Sequence, residues 1–250
     1  MVFVDNKGTT RLVETLLNPE TRRTVKYHLS GGEAHRHMAS LCIFIAMSTP
    51  FKKVLFFDIG GVLLTNGWGH ESRQAAAVKF GFNYEEMNIL HEFIFNVYEI
   101  GKISLDEYLK TTLFYKPRNF TKSDFIDFML EQSVELPGTL QWLIQWKKQH
   151  AGQFRFISIN NEGKELNDYR IKKFKLHECF DAFVSSCEVG MRKPDPGIFH
   201  LAMGIAQVSP DQCVYFDDRQ ILVDAATKTG MACYRHTGLE TTRPILENLL

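Results

Sequence analysis

Acidic side chains placed at the ends of apolar runs carry the chemistry in this chain. Val54-Leu55-Phe56-Phe57 runs straight into Asp58, and Ile59-Gly60-Gly61-Val62 follows. A buried strand that ends on a carboxylate and then bends through two glycines sets an oxygen nucleophile beside backbone that can approach an anion closely. A second apolar run, Val214-Tyr215-Phe216, ends on Asp217 and Asp218. Two adjacent carboxylates are costly there unless a cation or hydrogen bonds compensate them. Together with Asp58 they make an all-oxygen donor set of the kind that suits Mg²⁺. Lys193 lies in Arg192-Lys193-Pro194-Asp195-Pro196, a loop stiffened by its prolines. Its ammonium could pair with Asp58 and neutralise a phosphoryl oxygen. Ser158 closes Phe154-Arg155-Phe156-Ile157-Ser158-Ile159, and its hydroxyl, with nearby backbone amides, could hold a phosphate. A carboxylate that attacks phosphorus forms an aspartyl-phosphate and divides one hard displacement into two easier ones.

Each of these residues also has an ordinary structural meaning. Asp58 could form a turn or cap, Asp217 and Asp218 could be a solvated turn, and Lys193 could be a solvated cation. Asn160 or Asn161 could be a plain helix cap. The elements that would gather them are five strands alternating with helices: Val54–Phe57, Phe154–Ile159, Ala182–Ser186, Val214–Phe216 and Ala232–Arg235. That alternation predicts an α/β fold with a parallel sheet covered by helices. Right-handed crossovers put every strand's carboxyl end on one edge, where ligands bind in such sheets.

Between the first two strands the pattern turns helical. Leu90, Phe93, Ile94, Val97 and Tyr98 fall on one helix face. Ser104 and Glu107 form a capping-box pattern before Tyr108 and Leu109. Phe125, Phe128 and Met129 make a further stripe. Pro137-Gly138 breaks the chain before Leu140, Leu143 and Ile144 begin another helix. Residues 68–136 therefore read as a helical cap inserted after the first strand, with residues 51–67 and 137–250 as the core. Residues 1–50 are polar and weakly periodic. They read as an N-terminal extension, with 1–46 an appendage ahead of Met47; the alternative is a genuine extra helix over Thr10 to Leu17.

Composition excludes several function classes. Hydrophobic residues make up 44% and charged residues 23% of 250 residues, and the formal net charge is +0 with a pI near 7.1. Nothing in that balance favours electrostatic capture of nucleic acid or a membrane surface. The longest apolar run, Leu41 to Met47, is far short of the ~20 residues that span a bilayer. Five cysteines, Cys42, Cys179, Cys187, Cys213 and Cys233, are scattered and odd in number. They fit reduced thiols and a cytoplasmic location better than a disulfide framework.

Taken in order, Asp58-Ile59-Gly60-Gly61-Val62, Ser158, Arg192-Lys193-Pro194-Asp195-Pro196 and Phe216-Asp217-Asp218-Arg219 resemble the four motifs of the haloacid dehalogenase-like (HAD) hydrolase superfamily. Ser186-Cys187-Glu188-Val189-Gly190 strengthens the likeness, which covers about residues 52–250. The resemblance implies a Rossmann-like core with an α-helical cap and Mg²⁺-dependent chemistry on a small phosphate ester. By position it makes Asp58 the nucleophile and Lys193 the stabilising cation. Ser158, Ile159 and Gly61 would meet the phosphate. Asp58, the Gly60 carbonyl, Asp218 and Asp217 would meet the metal.

Two positions depart from the family pattern. Phosphatases of this family usually carry a second aspartate, the general acid and base, where this chain has Gly60. A positioned proton donor is worth ~10²–10⁴-fold in rate, so esters with poor leaving groups are expected to suffer most. His70 could substitute as the acid, or be an exposed surface histidine. Leu222 stands where related sequences often place Asn. The leading expectation is a phosphatase. A metal-free 2-haloacid dehalogenase or a non-catalytic phospholigand-binding protein are the alternatives. The sequence does not fix an oligomeric state.

Overall fold

The structure is a computed structural model. It describes residues 51–250 throughout and, before them, three short strands. The chain divides into two compact units, Met1–Pro50 and Phe51–Leu250. In the first unit, β1 (Val2–Val4), β2 (Thr10–Glu14) and β3 (Val25–His28) form an antiparallel sheet in that order. Thr10–Glu14 is thus the middle strand, not the start of a helix; residues 15–17 lie outside the described residues.

In the second unit, β4 (Lys53–Phe57), β5 (Phe154–Asn160), β6 (Ala182–Ser185), β7 (Cys213–Asp217) and β8 (Ala232–Arg235) form one parallel sheet. Its order is β6-β5-β4-β7-β8, so the α/β, Rossmann-like expectation is met. Strand β4 is central and apolar on both faces, as a parallel strand under two helical layers must be. Leu55 and Phe57 pack with Leu140, Leu143 and Trp146 of the helix Thr139–Gln149. Val54 and Phe56 point the other way, to Ile198, Phe199 and Ala202 of Pro196–Ala206. Strand bounds differ from the sequence reading by a residue at most. Ser186 leaves β6 to open a one-turn helix, Ser186–Val189, and its hydroxyl serves loop backbone instead of a sheet ladder.

Between β4 and α5 (Thr139–Gln149) lie four helices: α1 (His70–Phe80), α2 (Tyr84–Glu99), α3 (Leu105–Thr112) and α4 (Lys122–Glu131). The two chain crossings into this insert are tied together. Thr65 N–H donates to Val134 O at 2.8 Å, and Leu136 N–H donates to Leu63 O at 2.8 Å. Capping boxes at Ser104/Glu107 and Thr121/Asp124 start α3 and α4. Trp68, Tyr98, Tyr108, Phe125 and Met129 form the insert's own apolar cluster, which also takes in Leu166 of the core.

The buried face of α2 is rotated from the one its apolar spacing predicts. Met87, His91 and Tyr98 are inside, while Phe93 is 83% exposed and Val97 is exposed. Polar partners account for the rotation. His91 Nδ1 lies 2.7 Å from Tyr108 OH, and Tyr98 OH donates to Glu165 Oε2 at 2.9 Å. A buried imidazole or phenol with its hydrogen bonds made is no costlier than an apolar neighbour.

Candidate active site

The parallel ladder does not stop with β4. Asp58 N–H donates to Phe216 O at 2.9 Å, which draws Asp58 alongside the end of β7 and therefore beside Asp217. Lys193, on the loop after β6, is 1% exposed. Its Nζ sits 3.0 Å from Asp58 Oδ1 and 2.7 Å from Asp217 Oδ2. The same ammonium donates to Tyr215 OH at 3.0 Å, so all three of its donors are used. Asn161 holds the lysine's main chain from both sides: Lys193 N–H donates to Asn161 Oδ1, and Asn161 Nδ2 donates to Lys193 O, each at 2.8 Å. Neither Asn161 nor Asn160 caps a helix. Gly163 occupies that position ahead of α6 (Lys164–Lys173), and Asn160 bonds instead to Asn167 and Ser185.

Asp217 and Asp218 are adjacent in sequence but differ in environment. Asp217 is fully buried, and both its oxygens are engaged. Oδ2 accepts from Lys193 and from Tyr215 OH, and Oδ1 accepts from Arg219 N–H at 2.9 Å. Asp218 Oδ1 is buried and has no hydrogen-bond partner. Oxygens of Asp58, Asp217 and Asp218 lie within 4.8 Å of one another. Burial raises the Asp58 carboxyl to about 7 against the pull of Lys193, with Asp217 adding to the rise. Burial also raises Asp218, and Asp217 adds to it. Burial pulls Lys193 down, but Asp58 and Asp217 more than restore it, to above its ordinary value. Three carboxylates against one buried ammonium leave a formal excess of negative charge. With an orphaned oxygen on Asp218, this donor set fits a hard divalent cation such as Mg²⁺.

Ser158, Ile159 and Gly61 are the residues expected at the phosphate. Ser158 pairs with Phe57 across the β4–β5 ladder, so its hydroxyl lies one strand over from Asp58. That hydroxyl is fully buried, 3.5 Å from Asn160 Oδ1. Ile159 packs its side chain into the core, which leaves only its main chain to offer. Gly61 is at φ +73, and a Cβ there would lie 2.8 Å from Asp218 Oδ1 and closer still to its Cγ and Oδ2. Only glycine admits both that backbone and that carboxylate. Gly60 has no such constraint. A Cβ there would meet Asn66 Oδ1 at 3.1 Å and Arg170 Nη1 at 3.8 Å.

His70 is exposed at the start of α1, with Nδ1 2.6 Å from Tyr84 OH, which is the surface alternative. Leu222 is buried in the helix Gln220–Thr227. Sequence reasoning missed Tyr215, Asn161, Glu162, Arg170, Glu99 and Arg192. Arg192 Nε lies 2.5 Å from Glu99 Oε2 of α2, joining the insert to the residue beside Lys193. Only Tyr215 left a signal, since residues i and i+2 of a strand share a face.

Comparison with known proteins matches residues 52–228 to the haloacid dehalogenase-like hydrolase family model, and the chain belongs to that family. The bifunctional epoxide hydrolase 2 of Mus musculus is 31% identical over 119 residues, covering 46% of this chain and 21% of that protein. The chain thus matches about a fifth of that relative's length. A phosphorylated carbohydrates phosphatase of Thermotoga maritima is 27% identical over 191 residues, covering 72% of this chain and 82% of that one. Among solved structures, a HAD family enzyme of Bacteroides thetaiotaomicron in complex with magnesium and inorganic phosphate shares the fold. Its TM-score is 0.63 at 22% identity, over 73% of this chain and 93% of that one. Among the described residues, no helix is long and apolar enough to cross a membrane.

Proposed function

We propose that this hydrolase is a Mg²⁺-dependent phosphatase that acts on a small phosphomonoester through an aspartyl-phosphate on Asp58. One observation carries the reading: Asp58, Lys193 and the adjacent pair Asp217 and Asp218 come from three separate stretches of chain to one sheet edge, and one buried carboxylate oxygen there is left unpartnered. The phosphatase relative from Thermotoga maritima supports the substrate class. The insert, residues 68–136, serves as a cap over that edge, and its exposed side chains select the alcohol portion of the ester.

Asp58 is the attacking group, and its ion pair with the buried Lys193 ammonium fixes its orientation. Lys193 supplies positive charge where phosphoryl oxygens gain electron density. Asp217 anchors that lysine. Ser158 and the main chain at Ile159 and Gly61 hold the phosphate oxygens. Asp58, Asp218 and the Gly60 carbonyl would hold the cation, with Asp217 at the edge of that set. When bound, Mg²⁺ supplies charge neutralisation and a fixed template for the phosphate.

The test is hydrolysis of an activated aryl phosphate, such as p-nitrophenyl phosphate. Activity should require Mg²⁺, disappear with EDTA and be abolished by Asp58→Asn. EDTA-insensitive chloride release from 2-chloropropionate would replace this reading with the dehalogenase. Absence of both activities would leave a phospholigand-binding protein.

A further inference from the structure

The chain lacks a carboxylate at position 60, and the surroundings of that position show what stands in its place. The nearest charged atom to a Cβ at Gly60 would be Arg170 Nη1, at 3.8 Å. The same nitrogen is 2.7 Å from Glu162 Oε2. A carboxyl group therefore sits one guanidinium nitrogen away from the missing side chain. The parallel register Phe57↔Ser158 sets Asp58 level with the segment that leads to Glu162, so both emerge on the same sheet edge.

Glu162 is held firmly there. Its N–H donates to Ser186 Oγ at 2.9 Å, Ser186 Oγ donates to Glu99 O of α2 at 2.7 Å, and Gly163 N–H donates to Glu162 Oε1 at 3.1 Å. Arg170 is held in turn by Ser133 Oγ and Thr65 O, each at 2.9 Å. Glu162 is 6% exposed and lies outside the residues assigned to the cation. The charged and titratable groups around it are Arg170 of α6, Glu99 and Tyr98 of α2, Asp58 after β4, and Cys187.

We infer that Glu162 is the proton donor and acceptor of the reaction, replacing the acid that position 60 lacks. This rests on the phosphatase reading above. In the first step an Asp58 oxygen bonds to phosphorus and the ester P–O bond breaks. The proton of the Glu162 carboxyl passes to the departing alkoxide, giving the free alcohol and an ionised Glu162. In the second step water bonds to phosphorus, its proton returns to Glu162, and the bond between Asp58 and phosphorus breaks to release inorganic phosphate. Burial lifts the Glu162 carboxyl to about 7 against the opposing pull of Arg170, with Glu99 and Asp58 adding to the rise. A group so placed is near its optimum for exchanging a proton at neutral pH.

The test compares kcat/KM, which reports the step that expels the alcohol, for p-nitrophenyl phosphate and for a simple alkyl phosphate. Glu162→Gln should cost the alkyl ester ~10²–10⁴-fold and the aryl ester far less, because p-nitrophenolate leaves without a proton. Adding Gly60→Asp to Glu162→Gln should recover the alkyl ester selectively. An equal loss for both esters, or no loss for either, overturns the role of Glu162. If Glu162→Gln fails to fold, Glu162→Asp keeps a carboxyl on the Arg170 side but withdraws it by one methylene, and the same selectivity decides. A native protein without Mg²⁺-dependent aryl phosphatase activity would remove the underlying reading and this role together. Aryl activity without selective loss would remove this role alone.

Discussion

Gly61→Ala tests the link between the first loop and the proposed cation site. The native residue sits at φ +73, and an added methyl would overlap the Asp218 carboxylate. Two costs follow. A Cβ in the left-handed region costs roughly 1–2 kcal/mol. The overlap must also be relieved, and Asp218 is the group that yields, because its Oδ1 is tied by no hydrogen bond. The damage therefore falls mainly on cation binding. Groups that orient a metal ligand are worth roughly 10–100-fold in affinity, and displacing the ligand itself should reach at least that range. Stability should fall by about 2–8 °C in Tm, taking about 2–4 °C per kcal/mol for a chain of this size. The assay is a Mg²⁺ titration of p-nitrophenyl phosphate hydrolysis, with thermal melts in EDTA and in saturating Mg²⁺. Ligand binding to the folded state raises Tm, so the variant should lose most of the Mg²⁺-induced rise at matched concentration. A Gly61→Ala protein with the native Mg²⁺ midpoint and the native rise would refute the reasoning and remove Asp218 from the cation site.

Three further outcomes are expected. Lys193→Met strands the buried carboxylates of Asp58 and Asp217; it should lower unfolding free energy by about 3–5 kcal/mol and stop turnover, and urea denaturation within ~1 kcal/mol of native would contradict that. Gly163→Ala would bring a methyl within 2.5 Å of Tyr98 OH and closer to its ring carbons; overpacking of about 1–3 kcal/mol should loosen α2 from the core, and unchanged hydrogen-exchange protection across Tyr84–Glu99 would count against it. Glu162 binds its proton more tightly folded than unfolded, since it titrates at about 7 in place of 4.5; its contribution to stability is complete below about pH 4.5 and is lost as pH rises through about 7. Melts of Glu162→Gln in EDTA should show a shallower fall over that window than native melts, and parallel curves would overturn it.

Much of the core was legible because parallel strands buried on both faces leave a strong trace. Val54-Leu55-Phe56-Phe57 and Val214-Tyr215-Phe216 are short, apolar and bounded by carboxylates, and both proved to be adjacent strands. The capping box at Ser104/Glu107 and the stripe Phe125/Phe128/Met129 read correctly because local hydrogen bonds and periodicity determine them. Helix α2 read wrongly where tertiary contacts decide. His91 and Glu99 are inside because Tyr108 and Arg192, both distant in sequence, meet them, while Phe93 is left outside. No local pattern announces such a rotation. Glu162 and Arg170 were missed for the same reason: their meaning depends on the space beside Gly60, more than a hundred residues earlier.

The division of labour between Asp217 and Asp218 follows from strand geometry. Successive side chains on β7 alternate between faces, so Asp217 shares its side with Tyr215, where Lys193 enters, and both its oxygens find donors. Asp218 comes one residue later, beyond the strand, and falls over Gly61, whose missing side chain gives it room. A buried carboxylate that is satisfied orients a neighbour, whereas one that is not satisfied needs a cation. Asp217→Asn should therefore act first on Lys193. The amide still accepts from the ammonium but no longer balances its charge, so the lysine's pull passes to Asp58 alone. Asp218→Asn should act first on Mg²⁺. Titrating both variants with Mg²⁺ separates the two roles: a weakened midpoint for Asp218→Asn beside a near-native midpoint with depressed kcat for Asp217→Asn is the expected pattern, and the reverse pattern would exchange the assignments.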